Sequence, residues 1–188
     1  TSELLDIMDN FKIKTIVIPD LSQQNMPTSS FFRLFLDKVE KYSITLKPAA
    51  KGDVYTIGNG MLTILDDTYN DIDINNTSVA TLFTQGDFSY LNTGDGEEEY
   101  EQRLLKVFSQ KVTLFTAAHH GSSTANTEQF IKTVRPDFVA VSAGRDNEYG
   151  HPHNEVIQLF EKLDIPYKIT FNDGTLIYSI TDKKLIDY

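Results

Sequence analysis

The sequence predicts a layered α/β domain, and three observations support this prediction. Short β-branched and aromatic runs alternate with segments of helical periodicity along the whole chain. The runs at residues 112–118 and 138–142 are almost continuously apolar, as expected for strands that are buried on both faces of a sheet. With 188 residues, 40% of them hydrophobic, the chain is long enough to bury a sizeable core. We therefore expect residues 1–188 to form a single domain.

The first half of the chain is predicted to contain two helices and several strands. Residues 1–10 have the pattern of an amphipathic helix, and residues 14–18 form a β-branched strand. A second helix is predicted over residues 29–41, where apolar residues recur at i, i+3, i+4 and i+7: Phe32, Phe35, Leu36 and Val39. Strand-like runs follow at residues 42–46, 54–57, 61–65, 78–85 and 88–92.

The second half of the chain is predicted to contain three helices. The first covers residues 96–108, and the last covers residues 155–163. Asn126 and Gln129 have the spacing of a capping box at the start of the middle helix. The strands between and after these helices are predicted at residues 112–118, 138–142, 167–170 and 176–180.

Composition excludes several kinds of site. The chain has 17 Lys and Arg against 27 Asp and Glu, and its net charge of −10 excludes a strongly basic nucleic-acid surface. Cysteine is absent, which excludes disulfides, thiolate nucleophiles and Cys-ligated zinc. No run of 18 apolar residues and no signal-peptide pattern occurs, so we expect no membrane segment in this chain and a location in the cytoplasm or at a bacterial cell surface.

The four histidines form two pairs, each of which follows a predicted strand. His119 and His120 come after the first of these strands, and His151 and His153 come after the next. Layered folds assemble their sites in loops at strand ends. An isolated loop histidine is usually a solvated residue, but two such pairs suggest a metal site held by His, Asp or Glu.

Asp95 is a further candidate ligand, because two glycines flank it after a predicted hairpin strand. Another interpretation of this residue stays open. Asp95 and Glu98 have capping-box spacing, and Asp is favoured at a helix N-terminus by the helix dipole. The acidic run at residues 97–101 is most simply the charged outer face of the following helix. Ser122, beside the first histidine pair, lacks the G-x-S-x-G pattern of a serine nucleophile.

Three motifs in combination resemble the metallo-β-lactamase-fold hydrolases of the ComEC competence-protein type. They are T-G-D ending at Asp95, H-H-G-S from His119 to Ser122, and N-x-Y-G-H-P from Asn147 to Pro152. The resemblance covers essentially the whole chain. It implies an αββα sandwich with a metal site at one edge that holds one or two divalent ions, commonly zinc and sometimes manganese.

The same resemblance implies roles for particular residues. Asp95 and His120 would be metal ligands, and His119 and His151 would be catalytic residues that face the substrate. Ser122 and His153 would contact the substrate, although the hydroxyl of Ser122 could instead bond loop or helix-start amides and His153 could cap the next helix.

One motif of this family is missing from the sequence. H-x-H-x-D-H does not occur, and residues 1–118 contain no histidine. We expect this motif, together with the opening strands of the sandwich, immediately upstream of Thr1. The chain would then be the C-terminal two-thirds of a longer domain and would associate with the missing part. A degenerate relative is the alternative.

The resemblance implies a hydrolase that uses metal-activated water, and a phosphodiester or phosphoester is the expected substrate. A β-lactam, a thioester or another small molecule stays open, because this fold hosts several reactions. DNA, as the substrate of a nuclease linked to competence, is disfavoured by the net charge of −10. The rival interpretation is a metal-free sandwich that binds a partner.

Overall fold

The computed structural model of the chain describes residues 2–20, 27–67, 73–182 and 184–186. The chain divides into two compact units, Thr1–Ala49 and Ala50–Tyr188, and each is described by itself. The prediction that residues 1–188 form one domain stays a prediction. None of the helices in the described ranges is long and apolar enough to cross a lipid bilayer.

The first unit contains two helices and a parallel pair of strands. In chain order they are α1 (Ser2–Asn10), β1 (Thr15–Ile18), α2 (Ser30–Lys41) and β2 (Thr45–Pro48), and β1 pairs with β2. The core of this unit is formed by residues that are apolar and buried: Met8, Phe35 and Ile44. These elements confirm the predicted helices and the strand at residues 14–18.

The strand predicted at residues 42–46 begins later, at Thr45, because Tyr42 still belongs to the end of α2. The backbone N–H of Tyr42 donates to the carbonyl of Lys38. At the other end of α2, the side chain of Ser29 accepts a hydrogen bond from the N–H of Phe32, as an N-cap residue does.

The second unit contains a mixed sheet of seven strands in the order β3-β4-β5-β6-β7-β8-β9. The strands are β3 (Val54–Ile57), β4 (Gly60–Asp66), β5 (Ala80–Gln85), β6 (Phe88–Asn92), β7 (Leu114–Thr116), β8 (Phe138–Val141) and β9 (Tyr167–Ile169). Pairing is antiparallel from β3 to β6 and parallel from β6 to β9. The predicted layered α/β class is confirmed.

Helices connect the parallel strands, as such crossovers require. They are α3 (Glu98–Leu104), α4 (Glu128–Val134) and α5 (Asn154–Lys162). After β9 come α6 (Thr170–Asp173) and an antiparallel pair, β10 (Ile177–Ser179) and β11 (Lys184–Ile186). The helix predicted over residues 96–108 is shorter than expected.

The strands of the parallel region alternate between fully and partly buried positions. The fully buried residues join the helices in one apolar core: Leu91, Phe115, Val139 and Val141 from the strands, and Tyr100, Phe130 and Phe160 from the helices. Tyr90, Leu114 and Ala140, at the alternate positions, are only partly buried. Within the described ranges, residues 112–118 and 138–142 are therefore fully buried on the face towards the helices and only partly buried on the other face, except that Ser142 is exposed.

Candidate functional site

Three loops meet at one edge of the seven-stranded sheet. Asp95 follows β6, the pair His119-His120 follows β7, and His151 follows β8. Because β6, β7 and β8 are parallel, their carboxyl ends lie at the same edge, where α/β folds place their sites.

Backbone hydrogen bonds join these loops directly. The N–H of His119 donates to the carbonyl of Gly94 at 3.0 Å, and the N–H of His153 donates to the carbonyl of Gly121 at 3.0 Å. A Cβ atom on Gly121 would lie 2.6 Å from Cβ of Pro152, so only glycine permits the two histidine loops to approach this closely.

The side chains of the predicted site residues form a cluster. Nε2 of His120 lies 3.7 Å from Oδ1 of Asp95. The ring centroid of His151 lies 5.3 Å from that of His119, 6.4 Å from that of His120 and 4.8 Å from that of His153. The structure therefore brings together the carboxylate and the four imidazoles that the sequence singled out.

The orientation of His120 is set by a backbone carbonyl. Nδ1 of His120 lies 2.7 Å from the carbonyl oxygen of Ser142. A carbonyl oxygen can only accept, so Nδ1 carries the proton and the neutral ring has its lone pair on Nε2. That lone pair lies opposite the carboxylate of Asp95, which is also an electron-pair donor. A carbonyl that fixes the tautomer of a histidine in this way is typical of metal ligands.

The backbone of the histidine pair is strained. His119 (φ 48°, ψ 45°) and His120 (φ 57°, ψ 21°) both have left-handed conformations. For a residue other than glycine, this conformation costs about 1–2 kcal/mol. Such conformations persist where surrounding contacts enforce them, and they concentrate at functional sites.

Asn126 supplies the contacts that hold this strained turn. Its Oδ1 accepts from the N–H of Ala118 at 2.9 Å, and its Nδ2 donates to the carbonyls of Ala118 and Ser122 at 3.0 and 3.1 Å. The capping role predicted for Asn126 is wrong. Thr127 is the N-cap residue of α4, and its hydroxyl accepts from the N–H of Phe130.

Replacing Asn126 with aspartate should lower the free energy of unfolding by about 2 kcal/mol, because the buried carbonyls of Ala118 and Ser122 would lose their donor and face a carboxylate. Aspartate tolerates the left-handed φ of 61° at this position as asparagine does, so the backbone alone adds little. Urea unfolding monitored by circular dichroism measures the change. Asn154→Asp, at an exposed position in the first turn of α5, is the control and should change stability by less than about 0.5 kcal/mol.

The side chain of Glu101 binds the same segment at Asn126 and Thr127. Its carboxylate accepts hydrogen bonds from the N–H of Asn126 at 2.6 Å, the N–H of Thr127 at 3.0 Å and the hydroxyl of Thr127 at 2.6 Å. The side chain is fully buried, so its assignment to a charged outer helix face is wrong. Burial raises the pKa of Glu101 to about 7, although the three hydrogen bonds act in the opposite direction.

The capping interpretation of Asp95 is also wrong. The N-cap residue of α3 is Glu97, and the helix begins at Glu98. The N–H of Asp95 donates to the hydroxyl of Ser78 at 3.0 Å, which fixes the backbone of the T-G-D turn. The carboxylate of Asp95, with a side chain that is 48% exposed, lies beside His120 instead.

His153 and Ser122 are the predicted substrate contacts, and His153 is half-buried whereas Ser122 is buried. Nδ1 of His153 accepts from the N–H of Ser123 at 2.9 Å, so the neutral ring carries its proton on Nε2. Although His153 precedes α5, its side chain makes no capping bond. Ser122 is buried, and its hydroxyl bonds that of Thr124 at 3.0 Å. The substrate contacts of both residues stay predictions.

His151 is held by Asn147. The N–H of His151 donates to Oδ1 of Asn147 at 2.9 Å, and Nδ2 of Asn147 donates back to the carbonyl of His151 at 2.6 Å. Burial lowers the pKa of His151, and the neighbouring imidazoles of His153, His119 and His120 lower it further. The ring of His151 is therefore neutral at neutral pH.

Comparison with solved structures identifies the architecture. CmlA, a diiron β-hydroxylase from Streptomyces venezuelae, superposes with a TM-score of 0.53 at 13% identity, over 87% of this chain and 40% of its own. The metallo-β-lactamase fold protein YhfI from Bacillus subtilis superposes with a TM-score of 0.50 at 12% identity, over 89% of this chain and 68% of its own. The chain has a metallo-β-lactamase fold. The predicted fold is thus confirmed.

Curated relatives of this metallo-β-lactamase-fold chain are competence and recombination proteins. ComE operon protein 3 of Bacillus subtilis is 29% identical over 92% of this chain and 22% of its own length. Recombination protein 2 of Haemophilus influenzae is 36% identical over 45% of this chain and 10% of its own length. Competence protein ComA of Neisseria gonorrhoeae is 32% identical over 45% of this chain and 13% of its own length.

These relatives confirm the resemblance to ComEC-type competence proteins. The chain spans only about a fifth or less of their length. No protein-family model matches the chain.

The donor atoms in this metallo-β-lactamase fold suit a divalent ion, but they form only part of a ligand shell. Imidazole nitrogen and carboxylate oxygen are ligands of zinc, and carboxylate also suits manganese. Two ligand atoms on a tetrahedral zinc ion lie about 3.4 Å apart, close to the 3.7 Å between Nε2 of His120 and Oδ1 of Asp95. Within the described ranges, no three His, Asp or Glu side chains form a group that could hold a metal ion.

Proposed function

We propose that this chain supplies part of the catalytic centre of a metal-dependent hydrolase that cleaves phosphodiester or phosphoester bonds. The observation that carries the proposal is the lone pair on Nε2 of His120, which lies 3.7 Å from the carboxylate of Asp95. An imidazole nitrogen and a carboxylate oxygen are both zinc ligands, and their separation here is near that of two ligands on one ion. The metallo-β-lactamase fold, which this chain shares with CmlA, a protein named as a diiron enzyme, supports metal chemistry in this proposal.

The residues of the cluster have distinct roles in this proposal. Asp95 and His120 hold the divalent ion, zinc or manganese, and the carbonyl of Ser142 keeps His120 in its liganding tautomer. When bound, such an ion lowers the pKa of a coordinated water from about 15.7 towards 7. His153 has its Nε2 proton available for an anionic oxygen of the substrate, because its Nδ1 is occupied by the N–H of Ser123.

The remaining ligands are proposed to lie outside these 188 residues. Asp95 and His120 provide two donors, whereas a catalytic zinc site has three protein ligands. The H-x-H-x-D-H motif expected upstream of Thr1 would provide the others. In this proposal, the chain associates with that preceding part of its own domain.

The names of the relatives favour a phosphodiester over a β-lactam or a thioester. Recombination, named for the Haemophilus influenzae relative, requires phosphodiester chemistry on nucleic acids. DNA is therefore the narrower form of the proposal. The net charge of −10 opposes it, since a polyanion binds best to a basic surface.

The test uses the protein with its preceding residues included. We expect purified protein to retain stoichiometric zinc or manganese by elemental analysis and to hydrolyse bis-p-nitrophenyl phosphate. EDTA should abolish turnover, and the added ion should restore it. A protein that purifies without metal and keeps the same melting temperature in EDTA would support the metal-free binding module instead.

A further inference from the structure

Glu97 lies against His119 at the rim of the cluster. Nδ1 of His119 is buried and has no hydrogen bond of good geometry, and Oε1 of Glu97 lies 3.4 Å away. The side chain of His119 as a whole is 22% exposed, so the accessible part of its ring lies away from Nδ1. A small rotation of the ring, with a movement of a few tenths of an ångström, would form the hydrogen bond.

The carboxylate of Glu97 is held in this place by other contacts. Its Oε1 accepts from the hydroxyl of Thr124 at 2.9 Å and from Nδ2 of Asn75 at 3.4 Å. Its backbone N–H donates to Oδ1 of Asn76 at 2.9 Å. Glu97 is the N-cap residue of α3, yet its side chain makes no capping bond. The carboxylate therefore serves the loop contacts instead of the helix end.

We propose that Glu97 is a positioning residue that holds His119 with the proton on Nδ1 and the lone pair on Nε2. A carboxylate can only accept, so a buried Nδ1 beside it must be the donor. A carboxylate behind an imidazole fixes both the tautomer and the orientation of the ring, and it raises the basicity of the opposite nitrogen.

This assignment changes the chemistry expected of His119. With its lone pair on Nε2, His119 can accept a proton from water or bind a cation, but it cannot donate a hydrogen bond to an oxyanion from that atom. His153 has the opposite tautomer, so of His119 and His153 it is His153 that can donate a hydrogen bond from Nε2. The catalytic meaning of this difference rests on the proposed function, whereas the tautomer itself does not.

The tautomer can be measured on the chain without metal. Long-range 1H–15N spectra of the uniformly 15N-labelled protein at pH 8.5 distinguish protonated from unprotonated ring nitrogens, and the chain has only four histidines. Loss of one pattern in His119→Asn assigns the signal. In the wild-type protein we expect His119 to show a protonated Nδ1 and an unprotonated Nε2. A wild-type His119 with its proton on Nε2 would overturn the proposal, and this result does not depend on any Glu97 variant folding.

The variants test whether Glu97 is the cause. Glu97→Met keeps the length of the side chain but removes the acceptor, so the proton should move to Nε2. Glu97→Gln retains a carbonyl acceptor, so this variant should keep the wild-type tautomer of His119. Glu98→Gln is the matched control, because the carboxylate of Glu98 bonds Gln102 instead. An unchanged tautomer in a folded Glu97→Met protein would contradict the proposal.

Zinc titration and turnover of bis-p-nitrophenyl phosphate, measured on the corresponding proteins with preceding residues included, separate this inference from the proposed function. A lost positioning partner typically costs about ten- to a hundredfold in metal affinity or activity. Because His119 is not among the proposed ligands, we expect this loss in turnover for Glu97→Met, with zinc affinity unchanged, and no loss for Glu98→Gln. Wild-type protein that binds no zinc but has Nδ1 of His119 protonated would contradict the proposed function and support the assignment of Glu97.

Discussion

Replacing Asp95 with asparagine is expected to lower metal-dependent hydrolysis about a thousandfold or more, with little change in stability. A bound ion stabilises transition-state charge by several kcal/mol, and each 1.36 kcal/mol corresponds to a factor of ten in rate. Asparagine keeps the shape of the side chain but removes the negative charge that opposes the ion. The amide oxygen is a neutral and weaker ligand, so the lone pair of His120 would no longer face a negative charge.

The stability of the Asp95→Asn protein should change by less than about 0.5 kcal/mol, because the side chain is half exposed and does not cap α3. Steady-state turnover of bis-p-nitrophenyl phosphate and urea unfolding measure the two effects on the same samples. Asp164→Asn is the matched control, since Asp164 is exposed and its φ of 54° suits asparagine. If stability fell by about 1 kcal/mol while turnover persisted, the carboxylate of Asp95 would have a structural role and the proposed function would be wrong.

Replacing Glu101 with glutamine should destabilise the protein by about 3 kcal/mol at pH 5. Three donors converge on this buried carboxyl group, from the N–H of Asn126 and from the N–H and hydroxyl of Thr127. A protonated carboxyl keeps acceptor lone pairs on both oxygens, but an amide nitrogen accepts nothing. The variant therefore leaves buried donors unpaired, and each costs about 1–3 kcal/mol.

The difference in stability between wild type and Glu101→Gln should narrow as pH rises from 5 to 8. The pKa of Glu101 is raised from 4.5 in the unfolded chain to about 7 in the folded protein, so the folded state binds more protons over this range. Stability is then greatest below the unfolded pKa and falls as pH rises through the folded pKa, by up to about 3 kcal/mol for this shift. Glutamine does not titrate, so the variant lacks this loss.

Urea unfolding at pH 5, 6, 7 and 8 measures this narrowing. Glu99→Gln, at an exposed position on the same helix, should show a small difference from wild type that does not depend on pH in this way. A gap between wild type and Glu101→Gln that widens with pH would mean that the carboxylate, not the carboxylic acid, is the form favoured by folding.

Sequence motifs were sufficient to find the residues of the cluster, because each candidate lies in a loop that follows a recognisable strand. Asp95, His119, His120 and His151 were identified in this way, and the structure places their side chains in one cluster. Their roles as ligands and catalysts stay predictions.

The residues that support the cluster could not be found from local patterns. Glu97 and Glu101 belong to an acidic run that is typical of an exposed helix face, and Asn126 has the spacing of a cap. Their partners lie 8 to 27 positions away in the sequence: Ala118 for Asn126, Thr127 for Glu101 and Thr124 for Glu97. No periodicity encodes contacts of that range.

The layered α/β class followed from periodicity, since the spacing of apolar residues records which side of each helix or strand faces a core. The motif combination pointed to the metallo-β-lactamase fold, which the structural comparisons bear out. Packing of the chain settles what periodicity cannot: the burial of Glu101, the opposite tautomers of His120 and His153, and the distance between Asp95 and His120. Each of these depends on which atoms from separate segments meet, and that is a property of the folded chain, not of its local sequence.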